Sequence, residues 1–369
     1  MKSGRQRGFT LLELCVAMAV FMVIAGAALT LFRRHAPLMN SQQNQSFLNI
    51  GLRNAITQMQ IDAVNAGAGF GSNLAGWRPI GLTINNTSAS SSSPCDNTTT
   101  FVYGSNCFDS LYVITADLNT PVSRPSASNG TSCANLNTTT SVYLAPPTGV
   151  TATQLAAFFH TGDQVMLING SGSPVQVNAV VLTGNGTVSG TLVRINHTAT
   201  AANGSNTIAN DPPQITTNFP PLGTSSTPAS ATTLGISFCP TTAWAYKLSV
   251  VSYTVDTSTA TNPKLVRTQN GTSNVLMEQI VGFRVGAAIW NGTEGATYSY
   301  SPTSYITYSP AATMTDWTAI RALRATLIAR TVPNSGASFG YTNGFDNGPY
   351  RVEAVSSVIN PRNFSMNDQ

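Results

Sequence analysis

Glu13 is the only charged residue between Phe9 and Phe32, a stretch of 24 residues that is otherwise almost wholly apolar. A carboxylate in such a run costs about 2.5 to 3.5 kcal/mol on membrane-insertion scales, so it calls for a partner. A chain cut between Gly8 and Phe9 would supply one. Its new α-amino group would stand four residues before Glu13, one helical turn away, or would meet the Glu13 of a neighbouring copy. The chemistry offered is ion pairing inside an apolar environment, not turnover of a substrate.

Cysteine is the second reactive residue type to place. Cys15 sits in the apolar run, which leaves Cys95, Cys107, Cys133 and Cys239 outside it, an even number suited to disulfides in an oxidising compartment. Four cysteines allow three pairings. Nearness along the chain favours Cys95 with Cys107 and Cys133 with Cys239, with four buried thiols as the alternative.

Only three histidines occur, His35, His160 and His197, and none stands in a nucleophile motif. The acidic residues are scattered, and no Walker, zinc-protease or G-x-S-x-G signature is present. With no C-x-x-C and no histidine cluster there is no expected metal, and no cofactor or catalysis is expected either. Gly67-Ala68-Gly69-Phe70-Gly71 half-resembles a dinucleotide loop. That loop must follow a strand, whereas a helical pattern precedes these glycines, so they read as a helix stop.

The elements that must position Glu13 follow from periodicity and length. Phe9 to Phe32 as a helix spans about 36 Å, enough for a hydrocarbon core of about 30 Å. An ordinary secretory signal has a shorter apolar core and a cleavage site behind it, whereas this run is long and carries its acid at the front. Lys2, Arg5 and Arg7 favour a cytoplasmic N-terminus, with Arg33 and Arg34 on the far side weakening the asymmetry. Pro37 is expected to kink or interrupt the helix. Beyond it, from about Asn40 to Asn65, Leu48, Leu52, Ala55, Met59 and Ala63 recur at helical spacing and make an apolar stripe for a β-sheet.

Charge composition leaves one broad class, nucleic-acid binding, without support. Five of the 18 Lys and Arg residues and one of the 14 Asp and Glu residues lie before residue 36, so the net charge of +4 belongs to that end and the remainder is neutral. The pI near 8.9 is therefore no footprint for nucleic acid. A charged fraction of 9%, with abundant Ser, Thr, Asn and Gly, suits a secreted β-rich surface.

Strand patterns occur at Ser110–Thr115, Asp163–Ile168, Leu192–Ile195, Tyr246–Val255, Lys264–Arg267, Asn274–Val285, Ala319–Arg330 and Tyr350–Ile359. Residues from about Thr83 to Thr140, including Ser90 to Ser93, read as loops fixed by disulfides apart from the first of these strands. Ala199–Thr233 reads as an irregular loop, and Asn291–Trp317 as a long loop bearing Tyr298, Tyr300, Tyr305, Tyr308 and Trp317.

Gly8-Phe9-Thr10-Leu11-Leu12-Glu13, behind a short basic leader and ahead of an unbroken apolar helix, resembles the cleavage and N-methylation signature of type IV prepilins and type II secretion pseudopilins. Gly162–Ile168, the Ala66-Gly67 stop, Ile280–Val285, Ile320–Arg324, and Tyr350-Arg351 through Asn363 look, in their order, like PilW-type minor pilins and the related J-type pseudopilins. The Ser/Thr/Asn-rich insertions and the aromatic loop depart from that pattern.

The resemblance implies an α+β fold, type IV pilin-like, with a long N-terminal helix packed on an antiparallel sheet and large loop-rich β insertions. It divides the chain into a leader at 1–8, a transmembrane and assembly helix at 9–36, an amphipathic second half at 37–66 and a β-rich periplasmic or extracellular head at 67–369. Prepilin peptidase would cut after Gly8 and methylate Phe9, and Glu13 would serve as the assembly carboxylate. The implied partners are that peptidase, the inner membrane, and other minor pilins and the major pilin through the N-terminal helix. The precursor would be single-pass, with a cytoplasmic N-terminus and a periplasmic head, and would later reach a surface pilus. The function implied is a minor pilin that starts assembly or joins a tip complex. A J-type pseudopilin and a membrane-anchored adhesin binding through its aromatic loop are the alternatives.

Overall fold

A computed structural model describes residues 10–69, 81–85, 96–97, 101–136, 139–169, 176–197, 237–289, 320–332 and 342–362. The chain divides into two compact units, Met1–Ile50 and Gly51–Gln369. One helix, α1, runs from Leu11 to Val64. It passes Pro37 without a break, contrary to the expected interruption. The ring removes one donor, and in a helix of 54 residues the turns on either side carry that loss.

From Leu11 to Phe32 the large apolar side chains of α1 are exposed, Leu11 by 81% and Phe21 by 70%. The stripe read from the sequence behaves in the opposite way, because Leu48, Leu52, Ala55, Met59 and Ala63 are all buried. Burying side chains such as Leu52, Ile56 and Met59 stabilises by about 1.5 to 3 kcal/mol each.

The helix ends where the glycines predict. The Asn65 and Ala66 amides donate to Asp62 and Ala63 three residues back, tightening the last turn, and Gly67 takes φ +74°. The Gly67 amide donates to the Ile114 carbonyl at 2.9 Å, so a strand receives the freed donor. Gly81 lies against this turn so closely that a Cβ there would strike the Gly67 backbone.

The strands, in chain order, are β1 (Leu82–Asn85), β2 (Asp96–Asn97), β3 (Val102–Tyr103), β4 (Ser110–Ala116), β5 (Arg124–Ser126), β6 (Ala134–Asn135) and β7 (Ser141–Ala145). A short helix α2 (Ala152–Ala156) precedes β8 (Gln164–Asn169), β9 (Gln176–Val181), β10 (Thr187–Ser189), β11 (Leu192–Asn196) and β12 (Ser237–Phe238). Then come β13 (Ala243–Asp256), β14 (Lys264–Gln269), β15 (Thr272–Glu278), β16 (Ile280–Ile289), β17 (Ile320–Arg330) and β18 (Val352–Ile359).

All pairings between these strands are antiparallel. With the apolar N-terminal helix they make an α+β fold of the type IV pilin-like kind.

The largest sheet follows the order β1-β4-β13-β14-β15, with β8 and β9 added at β13. The 14 residues of β13 are shared out along its length. Leu248–Tyr253 pair with β4 and Val251–Asp256 with β14, whereas Ala243–Leu248 pair with β8. The first part of β13 thereby enters a second core, in which Leu144, Leu155, Phe159, Leu167, Val193 and Phe238 are buried together. The sheet β10-β11-β7-β5 and α2 contribute to this lobe. Helix α2 opens with a capping box, the Gln154 amide donating to Thr151 Oγ1 at 3.2 Å and the Thr151 amide to Gln154 Oε1 at 2.9 Å. Cys133 and Cys239, beside the paired β6 and β12, form a disulfide.

Three expectations need correction. Asn274–Val285 is not one strand: Gln279, at φ +59°, separates β15 from β16, and β16-β17-β18 form a sheet of their own. The stretch Thr83–Thr140 is richer in strands than loops alone, since β1, β5 and β6 lie in it beside β4, each too short to show a period. The last strand begins at Val352 and not at Tyr350, because Tyr350 is buried in the preceding loop. Ser90–Ser93, Cys95, and all of Ala199–Thr233 and Asn291–Trp317 lie outside the described residues, while Cys107 is buried.

Candidate functional site

Gly8 and Phe9 lie outside the described residues, so the site begins at Thr10, immediately before α1. Thr10 and Glu13 make a reciprocal cap. The Thr10 amide and hydroxyl each donate to Glu13 Oε2 at 2.9 Å, and the Glu13 amide donates to Thr10 Oγ1 at 3.4 Å. Both donors reach the same carboxylate oxygen. This local cap satisfies a helix-start amide and part of the carboxylate, but it brings no cation to Glu13. Further along, Thr30 returns its hydroxyl to the carbonyls of Gly26 and Ala27 at 2.6 and 2.9 Å. The helix thus absorbs that polar group internally, as an apolar surrounding requires. From Leu11 to Arg33 it is the one helix among the described residues long and apolar enough to cross a membrane, and Glu13 is the sole acid within it.

At the other end of α1, Asp62 holds the helix on the large sheet. Arg267, on β14, donates through Nε to Asp62 Oδ2 at 2.7 Å and through Nη2 to Oδ1 at 3.1 Å. The Tyr253 hydroxyl of β13 donates to the same Oδ2, and Gln58 Nε2 to Oδ1 at 3.4 Å. Burial and the neighbouring Asp62 carboxylate push the Tyr253 phenol up, and the hydrogen bond to Asp62 pushes the Arg267 guanidinium up. Each side chain of the ion pair is only about one-seventh exposed or less, so the geometry resists solvent screening. The helix also meets β18, where Gln60 Nε2 donates to Ser357 Oγ.

The histidines do not converge on a centre. His160 is exposed near Asp163, whose carboxylate also accepts from Lys247 Nζ at 2.8 Å. His197 is buried, and His35 is exposed on α1. Among the described residues no three His, Cys, Asp or Glu side chains gather as a metal-binding group.

A buried network around Arg330 and Asp346 was not anticipated from sequence. Arg330, at the end of β17, is 2% exposed and donates to Gln279 Oε1 at 2.8 Å, the Phe101 carbonyl at 2.8 Å and the Thr261 carbonyl at 2.9 Å. Its guanidinium lies over the rings of Tyr103 and Tyr350, 5.6 and 4.8 Å from their centroids. Both tyrosine hydroxyls donate to Asp346 Oδ2, while Asn343 Nδ2 and the Gly348 amide donate to Oδ1 at 2.8 and 2.9 Å.

Burial pushes the Asp346 carboxyl up, and the hydrogen bonds from Tyr103, Tyr350, Asn343 and Gly348 more than offset it, leaving the group below its ordinary value. Burial together with Asp346 pushes the Tyr350 phenol up to about 12. Phe101, Gln279 and Asn347 take positive φ angles of 52°, 59° and 59° around this network. The sequence signal was Asn343-x-x-Asp346 between glycines, a pattern for side chains that turn back on their own backbone.

Residues 3–29 match the family described as the prokaryotic N-terminal methylation motif. No curated protein and no solved structure matches the chain. Gly8, Phe9 and Glu13 all fall within the matched segment. The motif and the apolar helix behind it fit a membrane-anchored, type IV pilin-type prepilin with a single N-terminal span, and the motif implies processing by prepilin peptidase and assembly with other pilins.

Proposed function

We propose that this protein is a PilW-like minor pilin of a type IV pilus, cleaved after Gly8, methylated on the Phe9 amine and used to start assembly or to build a tip complex. The observation that carries this reading is the change of surroundings along α1. Its N-terminal part, largely within the matched motif, exposes an apolar surface, and its last turns are buried in a β-rich head. Lipid covers such a surface before assembly, and like helices cover it afterwards. Residues 1–8 serve as leader, 9–36 as the membrane and assembly helix, 37–66 as its amphipathic continuation and 67–369 as the head.

Glu13 then pairs with the methylated amine of an adjacent subunit, so that two charges enter the apolar interior together. The head carries a second core beside the helix-bearing sheet, and such bulk suits a subunit used sparingly at a tip more than one repeated along a shaft. No catalytic role is assigned; the chain is a substrate of its peptidase.

Mass spectrometry of the N-terminal peptide, in sheared surface filaments and in membranes, tests the reading. The expected result is a peptide starting at N-methyl-Phe9 in the sheared fraction, at low abundance beside a major pilin. A Met1 terminus confined to membranes would refute it.

A further inference from the structure

Residues 101–109 tie the three-stranded sheet β16-β17-β18 to the large sheet. The Phe101 carbonyl accepts from Arg330 of β17, and the Tyr103 hydroxyl donates to Asp346. Phe108 bridges Phe283 of β16, and the Asp109 amide donates to the Phe283 carbonyl at 2.9 Å. The buried Asp109 carboxylate accepts from Arg284 Nη1 and from the Val285 amide, each at 2.9 Å. Strand β4 begins at the next residue, Ser110, and pairs with β13. One short segment therefore carries contacts to both sheets.

A hairpin and a single turn give that segment its shape. Strand β2 pairs with β3 in the register Asp96 to Tyr103 and Asn97 to Val102. Ser105–Cys107 form a 3-10 turn, in which the Cys107 amide donates to the Gly104 carbonyl at 3.0 Å. Strands of two residues are too short to hold by their own ladder. Cys107, 1% exposed, closes the turn and is brought back beside Gly104. Cys95 is one peptide bond from Asp96, about 3.8 Å between Cα atoms. Antiparallel partners stand about 4.5 to 5.5 Å apart, and one further step of this register meets Gly104.

We propose that Cys95 and Cys107 are joined by a second disulfide, which braces the segment on which the β16-β17-β18 sheet docks; the inference rests on the reading above that the head is exported. Cys95 lies outside the described residues, and Asp96, Gly104 and Cys107 set its reach, within the Cα separation of about 4.4 to 6.8 Å that a disulfide bridges. Cys133 and Cys239 are bonded to each other, and Cys15 belongs to the apolar stretch of α1. The two bonds join consecutive cysteines of the exported chain, so neither has to be reshuffled after the next cysteine emerges. In forming the new bond, the two thiols give up two protons and two electrons to the disulfide of an oxidising partner protein, which leaves as a dithiol.

The test takes the full chain from the host envelope, denatures it in an alkylating reagent without reductant and cuts it with chymotrypsin, which cleaves between the two positions at Phe101 and Tyr103. The expected result is a pair of peptides, holding unalkylated Cys95 and Cys107, that separate only on reduction. Alkylated Cys95 and Cys107 beside an intact Cys133–Cys239 bond, or a bond from either to any other cysteine, overturns this proposal alone. Alkylation of all four cysteines overturns the exported-head reading and the proposal with it. Cys95→Ser reads the bracing role. Closing the 13 residues from 95 to 107 shifts an opening equilibrium about a hundredfold. Amide exchange in β16 and β17 is therefore expected to quicken by about that factor, with β7, β8 and β11 unchanged. Unaltered exchange in β16 and β17 overturns the brace.

Discussion

Glu13 and Asp62 are two carboxylates on one helix, and they are satisfied in opposite ways. Glu13 takes its hydrogen bonds from Thr10, three residues away, on an exposed apolar stretch. Asp62 takes its own from Tyr253 and Arg267, 191 and 205 residues away, under the sheet. The second arrangement fixes tertiary register, because moving the helix by one turn would leave a charge buried without its partner. The first fixes only a helix start. A carboxylate satisfied by a local cap lets the helix start fold without a distant partner, and on the proposed reading its charge is kept for a neighbouring subunit.

The contrast is broken most forcefully at Asp62. Asp62→Ala is expected to destabilise the head by about 3 to 5 kcal/mol, because it strands the Arg267 guanidinium. Urea unfolding of the full chain in detergent, followed by near-ultraviolet circular dichroism, measures the loss. Asp62→Ala combined with Arg267→Met should recover much of it, and a double variant as weak as the single would contradict the clamp.

Next in size is the bond between Cys133 and Cys239. Cys239→Ser is expected to cost about 2 to 5 kcal/mol, confined to the lobe around the second core. Hydrogen exchange should then accelerate in β7, β8 and β11, with β14 and the end of α1 unchanged. Uniform acceleration would show that the two cores unfold as one.

A pH titration sharpens the comparison at a third, buried carboxylate, Asp346, through the Tyr350 hydroxyl that donates to it. Tyr350 is held at about 12 in the folded chain, above the value near 10 of an unfolded tyrosine. Its contribution is therefore fully present below about pH 10 and is lost as the pH rises towards 12. Tyrosinate absorbance and unfolding midpoints across that window should move together, and Tyr350→Phe should flatten the slope. The smallest effect on stability belongs to Glu13→Gln, which keeps an acceptor for Thr10 and removes the charge. Its unfolding curve should overlay that of the parent while its entry into filaments falls; normal filament entry would end the case for an intermolecular ion pair.

The parts legible in sequence were those encoded over short distances. Glu13 stands out against its run, the stripe from Leu48 to Ala63 declares its buried face, and Gly67 marks a stop that only positive φ explains. Strand β13 was visible because aromatic and β-branched residues recur from Tyr246 to Val255, alternating in burial as far as Val250. By contrast, β7, β9 and α2 are short and lie among Ser, Thr and Asn, where a period of two or 3.6 has too few repeats to register. The break at Gln279 had no signature, since glutamine is not a residue that advertises a left-handed conformation, and its side-chain partner Arg330 lies 51 residues away. The Asp62 clamp and the Arg330 network were illegible for the same reason: each joins side chains whose proximity is a product of topology.

The Cys133–Cys239 bond brackets 106 residues of sequence separation, including most of the second core. At roughly 3.4 Å per extended residue, about 360 Å of contour lies inside the bracket. A pull applied between the N-terminal helix and the end of the chain bypasses that length, because the tension crosses from one sulfur to the other. If the head is stretched between a filament and a surface, it has a short, fixed tether instead of a long, yielding one, and the lobe keeps its shape while the sheets beside it take the strain.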